Sequence, residues 1–141
     1  RNLVVAGEQL LTHEWWETRY SQFDPFISEL VIEEASGGDP EQAQKRLALI
    51  SNVKTLTLDE PTMHLARELI GSGLIPAKAT ADATHVAISS RYGIDFLLTW
   101  NCRHIANAQI LKELSKIVEE NGYSLPVVCT PTELMGGILD D

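Results

Sequence analysis

The sequence predicts an α/β domain with a mostly parallel sheet covered by helices on both faces. Strand-like and helix-like segments alternate along the 141 residues, and that order is typical of parallel sheets. The segment DFLLT, residues 95–99, is a continuous apolar run of the kind that parallel sheets bury on both faces. The length suits one domain over residues 1–141, and no internal repeat or linker divides it.

The first half of the chain predicts three helices and one short strand. Apolar residues at helical spacing, ending in Trp15 and Trp16, predict the first helix. Ser28 suits the N-cap of the next helix, and Asp39 followed by Pro40 suits the start of the third. The predicted elements are, in order, a helix over residues 3–22, a buried strand within 24–28, a helix over 28–36, and a helix from Asp39 onward.

The second half alternates strands and helices more regularly. Residues 53–58, VKTLTL, alternate and are rich in β-branched residues, which predicts a strand. Asp59 suits the N-cap of the following helix, and glycines suit the helix ends. The predicted elements are a strand at 53–58, helices over 60–70 and 77–93, a strand at 95–99, a helix over 106–120, a strand at 126–130, and a short final helix capped by Thr130.

Charge and composition limit the classes of function. A net charge of −9 argues against a protein that grips nucleic acid by neutralising many phosphates, although it is compatible with an enzyme that meets phosphate through a metal ion. The two cysteines have no metal-ligand spacing and suit a reducing cytoplasm. No apolar run approaches the roughly 20 residues that cross a bilayer. No Gly-rich phosphate loop or nucleophile elbow favours a small-molecule enzyme.

Three places combine polar groups with a buried element. Glu34 lies on the same helix side as the apolar Leu30 and Val31, where a carboxylate is costly unless it is paired or binds a metal. Asp82 falls in the first turns of its helix, with His85 one turn further on. Either carboxylate could instead merely favour the positive end of its helix.

The third place is the end of the strand DFLLT, where Thr99, Trp100 and Asn101 follow the apolar run. Ligands of α/β proteins bind at the carboxyl ends of the strands, so this end is where chemistry is expected. A strand-end asparagine also commonly just closes a turn. Each of the three signals is weak when it is taken alone.

Taken in this order, the three places resemble the PIN-domain family, which includes the VapC-type ribonuclease toxins. The specific part is DATHVAISSRYGIDFLLTWNCRHIAN, residues 82–107. The resemblance implies a three-layer α/β/α fold and a Mg²⁺ or Mn²⁺ site. It assigns Glu34, Asp82 and Asn101 as metal ligands and catalytic residues, with Thr99 and His85 in supporting roles.

Two departures from the family pattern stand out. The family's opening strand carries an acidic motif like Leu-Asp-Thr-Ser, and no such stretch occurs here. We therefore expect the chain to begin inside the first long helix, with the family's first strand and one acidic ligand missing upstream of residue 1. Asn101 stands where many family members have aspartate; its carbonyl oxygen can bind Mg²⁺ but contributes no negative charge.

The resemblance implies a cytoplasmic, metal-dependent endoribonuclease that hydrolyses RNA to 5′-phosphate and 3′-hydroxyl ends. It also implies the toxin of a type II toxin–antitoxin pair, with a small antitoxin protein as partner and a homodimer as the assembly. The alternative is a PIN-like module that binds RNA or protein and cleaves weakly or not at all. Asn101 in place of a carboxylate is the feature that motivates this alternative.

Overall fold

Five parallel strands form the sheet in the computed structural model, which describes residues 2–6, 23–99 and 108–130. The strand order is β3-β2-β1-β4-β5, and every neighbouring pair is parallel. The prediction of a mostly parallel α/β sheet is therefore confirmed. The strands are β1 (Asn2–Val5), β2 (Asp24–Ser28), β3 (Lys54–Leu56), β4 (Phe96–Leu98) and β5 (Val127–Cys129).

Three helices begin at the N-cap residues that the sequence predicted. The side chain of Ser28 accepts a hydrogen bond from the Val31 amide at 3.4 Å. Asp39 and Asp59 accept equivalent bonds, each at 3.1 Å, at the starts of two later helices. The described part of the chain contains α1 (Glu29–Ala35), α2 (Pro40–Leu49), α3 (Glu60–Gly71), α4 (Thr80–Arg91), preceded by a 3-10 turn (Ala77–Ala79), and α5 (Ala108–Glu120).

The predicted helix over residues 3–22 is wrong at its beginning, because Asn2–Val5 form the central strand β1. Leu3, Val4 and Val5 are fully buried, and Val4 lies opposite Phe26 on one side and Leu97 on the other. Consecutive apolar residues with β-branched valines suit a strand that is buried on both faces. The sheet therefore contains the central strand that we had expected to be missing. Residues 7–22 of the predicted helix lie outside the described residues.

Helices cover both faces of the sheet, which confirms the three-layer arrangement. On one face, Val4 and Leu97 pack in a core with side chains of α3, α4 and α5. On the other face, Leu3, Val5 and Leu98 pack with α1 and the end of α2. Adjacent residues of a strand point to opposite faces, so β1 and β4 contribute to both cores.

Polar contacts anchor the end of α4 to the loop that follows β3. The Arg91 guanidinium lies 3.1 Å from the Asp59 carboxylate, and the Tyr92 hydroxyl donates to the Thr57 carbonyl at 2.9 Å. Hydrogen bonding from Thr62 lowers the pKa of Asp59, and the charge of Arg91 acts in the same direction. Among the described helices, none is both long and apolar enough to cross a membrane.

Candidate active site

Glu34 lies in the last turn of α1, a seven-residue helix that begins directly after β2. Val31 and Ala35 of the same helix are fully buried against the sheet. Glu34 is half-buried, whereas Glu33 beside it is exposed, as the helical spacing predicted. The short helix thus carries a carboxylate at the margin of the core, together with an exposed neighbour of the same chemistry.

Asp82 lies in the first turn of α4 and is only 9% exposed. All residues from Asp82 to Ser90 are buried, so this helix is covered on every side although many of its side chains are polar. Burial of an ionised carboxylate is unfavourable unless hydrogen bonds or a cation compensate for it. A carboxylate at this position is typical of a functional group, and it also interacts favourably with the helix dipole.

His85 lies one turn beyond Asp82 and is 4% exposed. Its Nδ1 atom has no hydrogen-bond partner among the described residues. Burial lowers the pKa of His85 from 6.5 to about 4. The imidazole is therefore neutral at physiological pH, with one nitrogen that donates and one that accepts.

The burial of His85 predicts a loss of stability in mild acid. Because the unfolded chain takes up a proton near pH 6.5 and the folded protein does so only near pH 4, stability falls as the pH drops between these values. We expect a loss of about 1 kcal/mol between pH 6.5 and pH 5.5. Urea denaturation at the two pH values measures it. His85→Gln should abolish most of this loss of stability, whereas His64→Gln, at an exposed position, should retain it. Equal losses in both variants would contradict the conclusion that the burial of His85 causes the loss.

Thr99 directly follows β4 and is 2% exposed. Its amide donates to the Cys129 carbonyl at 2.9 Å and extends the pairing of β4 with β5. Because β2 and β4 belong to one parallel sheet, Thr99 and the start of α1 lie at the same edge. Asp95 lies before β4, at the opposite end of the strand from Thr99, and accepts a hydrogen bond from the Asn2 amide at 3.0 Å. Asn101 lies outside the described residues.

The donor chemistry of the predicted ligands suits a hard divalent cation. Mg²⁺ is commonly bound by one or two carboxylates together with water and substrate phosphate, and Glu34 and Asp82 provide two carboxylates. In residues 2–6, 23–99 and 108–130, no group of three or more His, Cys, Asp or Glu side chains is arranged to hold a metal. The described end of β1, Val5 and Ala6, carries no carboxylate. A common pocket for Glu34, Asp82 and Asn101 therefore stays a prediction.

Comparison with known proteins supports the fold. Neither a family model nor a curated protein matches the chain. Among solved structures, a chain in the crystal structure of VapBC2 from Rickettsia felis, bound to a DNA fragment from their promoter, is similar with a TM-score of 0.60. The two chains share 15% sequence identity, and the match covers 92% of this chain and 98% of the other.

The chain shares the fold of the VapBC2 chain that it matches. The similarity to the VapBC2 chain extends over nearly the whole domain, and the parallel five-stranded sheet agrees with it. At 15% identity the similarity supports the architecture alone. The fold implied by the sequence resemblance is thus confirmed, and the roles of individual residues remain to be tested.

Proposed function

We propose that the protein is a metal-dependent endoribonuclease of the PIN type and the toxin of a type II toxin–antitoxin pair. The observation that carries the proposal is the buried carboxylate of Asp82 in the first turn of α4, within a PIN-like fold. A buried carboxylate is costly unless hydrogen bonds or a cation compensate for it, and carboxylates are preferred ligands of hard divalent cations. The half-buried Glu34 supplies a second carboxylate on α1.

In this proposal Glu34, Asp82 and the carbonyl oxygen of Asn101 would hold Mg²⁺ or Mn²⁺. The bound ion would polarise the phosphodiester and lower the pKa of a water molecule. The two carboxylates would keep the site negative and select a cation, and Thr99 would support this end of the strand. The neutral His85 adds no positive charge that would compete with the ion.

The proposed partners are RNA as substrate, a small antitoxin protein as inhibitor and a second copy of the chain in a homodimer. The solved neighbour is itself part of a VapBC2 complex, which favours a protein partner for this chain. A net charge of −9 complements a basic antitoxin segment. The same charge disfavours tight, unselective binding to RNA.

The second candidate is a PIN-like module that binds RNA or protein and cleaves weakly or not at all. Two observations favour it: Asn101 supplies no negative charge, and the described end of β1 carries no carboxylate. Fewer carboxylates weaken the attraction for a divalent cation and hence the occupancy of the site.

Digestion of RNA by the purified protein tests the proposal. We expect cleavage with Mg²⁺ or Mn²⁺, none after EDTA treatment, and products with 5′-phosphate ends that a 5′-phosphate-dependent exonuclease degrades. Cleavage that persists in EDTA, or products with 5′-hydroxyl ends, would contradict metal-dependent hydrolysis. RNA binding without cleavage at any metal concentration would favour the binding module.

A further inference from the structure

Each of the last four carbonyls of α1 accepts a hydrogen bond from a group beyond the helix. A seven-residue helix does not hold its ends by itself, and its final carbonyls lack partners within the helix. Here Ser36 serves two of them, since its amide donates to the Ile32 carbonyl at 3.0 Å and its hydroxyl to the Glu33 carbonyl at 2.8 Å. The Gly37 amide donates to the Glu34 carbonyl at 3.3 Å.

Arg46, from the neighbouring helix α2, completes this set. Its Nε donates to the Ala35 carbonyl at 3.2 Å, and its Nη2 donates to the Gly37 carbonyl at 2.8 Å. One planar guanidinium thus bridges two carbonyls on either side of the helix end, a geometry that a lysine ammonium does not reproduce. The positive charge also lies at the negative end of the α1 dipole.

The connection between the two helices brings Arg46 into place. Gly38 adopts a left-handed conformation with φ of +77°, which glycine tolerates at no steric cost, and the chain turns there. Asp39 then caps α2. Arg46 lies in the last turn of α2 and is half-buried, whereas the adjacent Lys45 is exposed.

We propose that Arg46 is a positioning residue for Glu34. The bridge from Arg46 fixes the backbone immediately after Glu34, and the Gly37 amide fixes the Glu34 carbonyl itself. The carboxylate therefore projects from an ordered turn instead of a frayed helix end, and less entropy is lost when it binds an ion. This inference rests on the proposed function, because it assumes that Glu34 binds the metal.

The test compares Arg46→Gln with Lys45→Gln, which removes the same charge from the adjacent exposed position. In Arg46→Gln we expect the Mn²⁺ concentration for half-maximal RNA cleavage to rise roughly tenfold, the scale on which supporting residues affect metal sites. Excess Mn²⁺ should restore the cleavage rate. Amide hydrogen exchange should accelerate in a peptide covering residues 32–38, and Lys45→Gln should match the wild type in both measurements.

Two further variants separate positioning from a general structural role. In a Glu34→Gln background, Arg46→Gln should add little further loss of cleavage, because the carboxylate that it positions is already absent. Arg46→Lys, which keeps the charge and reaches one carbonyl, should fall between wild type and Arg46→Gln, and it replaces Arg46→Gln if the latter does not fold.

Three outcomes would overturn the inference. They are a Mn²⁺ midpoint in Arg46→Gln equal to that of Lys45→Gln, a loss that excess Mn²⁺ does not recover, and a loss fully additive with Glu34→Gln. A wild-type protein without metal-dependent cleavage would instead refute the proposed function, and the positioning role with it. Cleavage by the wild type alone shows whether the proposed function fails. Failure of the proposed function can therefore be distinguished from failure of the positioning role of Arg46.

Discussion

Asp82→Asn is expected to lower metal-dependent RNA cleavage at least about 100-fold, because loss of mere supporting residues already costs a metal site about 10- to 100-fold. The amide has nearly the same shape as the carboxylate but no charge to attract the cation. Glu34→Gln should produce a loss of the same kind. Cleavage of a labelled RNA at several Mn²⁺ concentrations measures both effects.

Glu33→Gln is the matched control for these variants. Glu33 adjoins Glu34 on α1, is exposed, and carries the same charge, so its substitution should leave cleavage near the wild-type level. Circular dichroism and thermal denaturation show whether each variant is folded. Full activity in both Asp82→Asn and Glu34→Gln would contradict the assignment of these two residues as metal ligands.

Val4→Pro is expected to destabilise the protein by about 3 kcal/mol or more, because proline within a central strand removes a ladder hydrogen bond and fits poorly there. β1 is paired on both sides, with β2 and with β4. The first turn of a helix, by contrast, tolerates proline. Urea denaturation therefore distinguishes the observed strand from the helix that the sequence predicted.

Val4→Ala serves as the comparison for the proline variant. It removes buried methyl groups and keeps the backbone amide, so it should cost less than Val4→Pro. Equal stability of Val4→Pro and Val4→Ala would indicate that the amide of Val4 makes no ladder bond and that residues 2–5 do not form the centre of the sheet.

The helix starts and the α/β class were predictable because local chemistry decides them. Ser28, Asp39 and Asp59 each accept a hydrogen bond from the amide three residues ahead, which depends on only four consecutive residues. The apolar run before Thr99 is of the kind that parallel sheets bury on both faces. The half-burial of Glu34 followed from its spacing to buried neighbours on one helix.

The first strand was not predictable, because a short apolar run fits a helix and a strand equally well. Residues 3–5 continue into the next apolar positions at helical spacing, and only pairing with strands that are distant in sequence decides between the two states. Arg46 was missed for a similar reason. Its carbonyl partners lie 9 and 11 residues earlier, and no spacing rule encodes that contact. The meeting of Glu34, Asp82 and Asn101 is the part that still depends on experiment.

The central position of β1 has a consequence for biosynthesis. Asn2 and its hydrogen-bond acceptor Asp95 are separated by 93 residues, so β1 leaves the ribosome long before β4 exists. During that interval one side of β1 has no strand to pair with, and fully apolar side chains remain exposed on the nascent polypeptide. Parallel sheets with such distant pairings fold slowly, and their folding intermediates expose apolar surface that promotes aggregation. A lower growth temperature or a bound chaperone should therefore raise the yield of soluble protein.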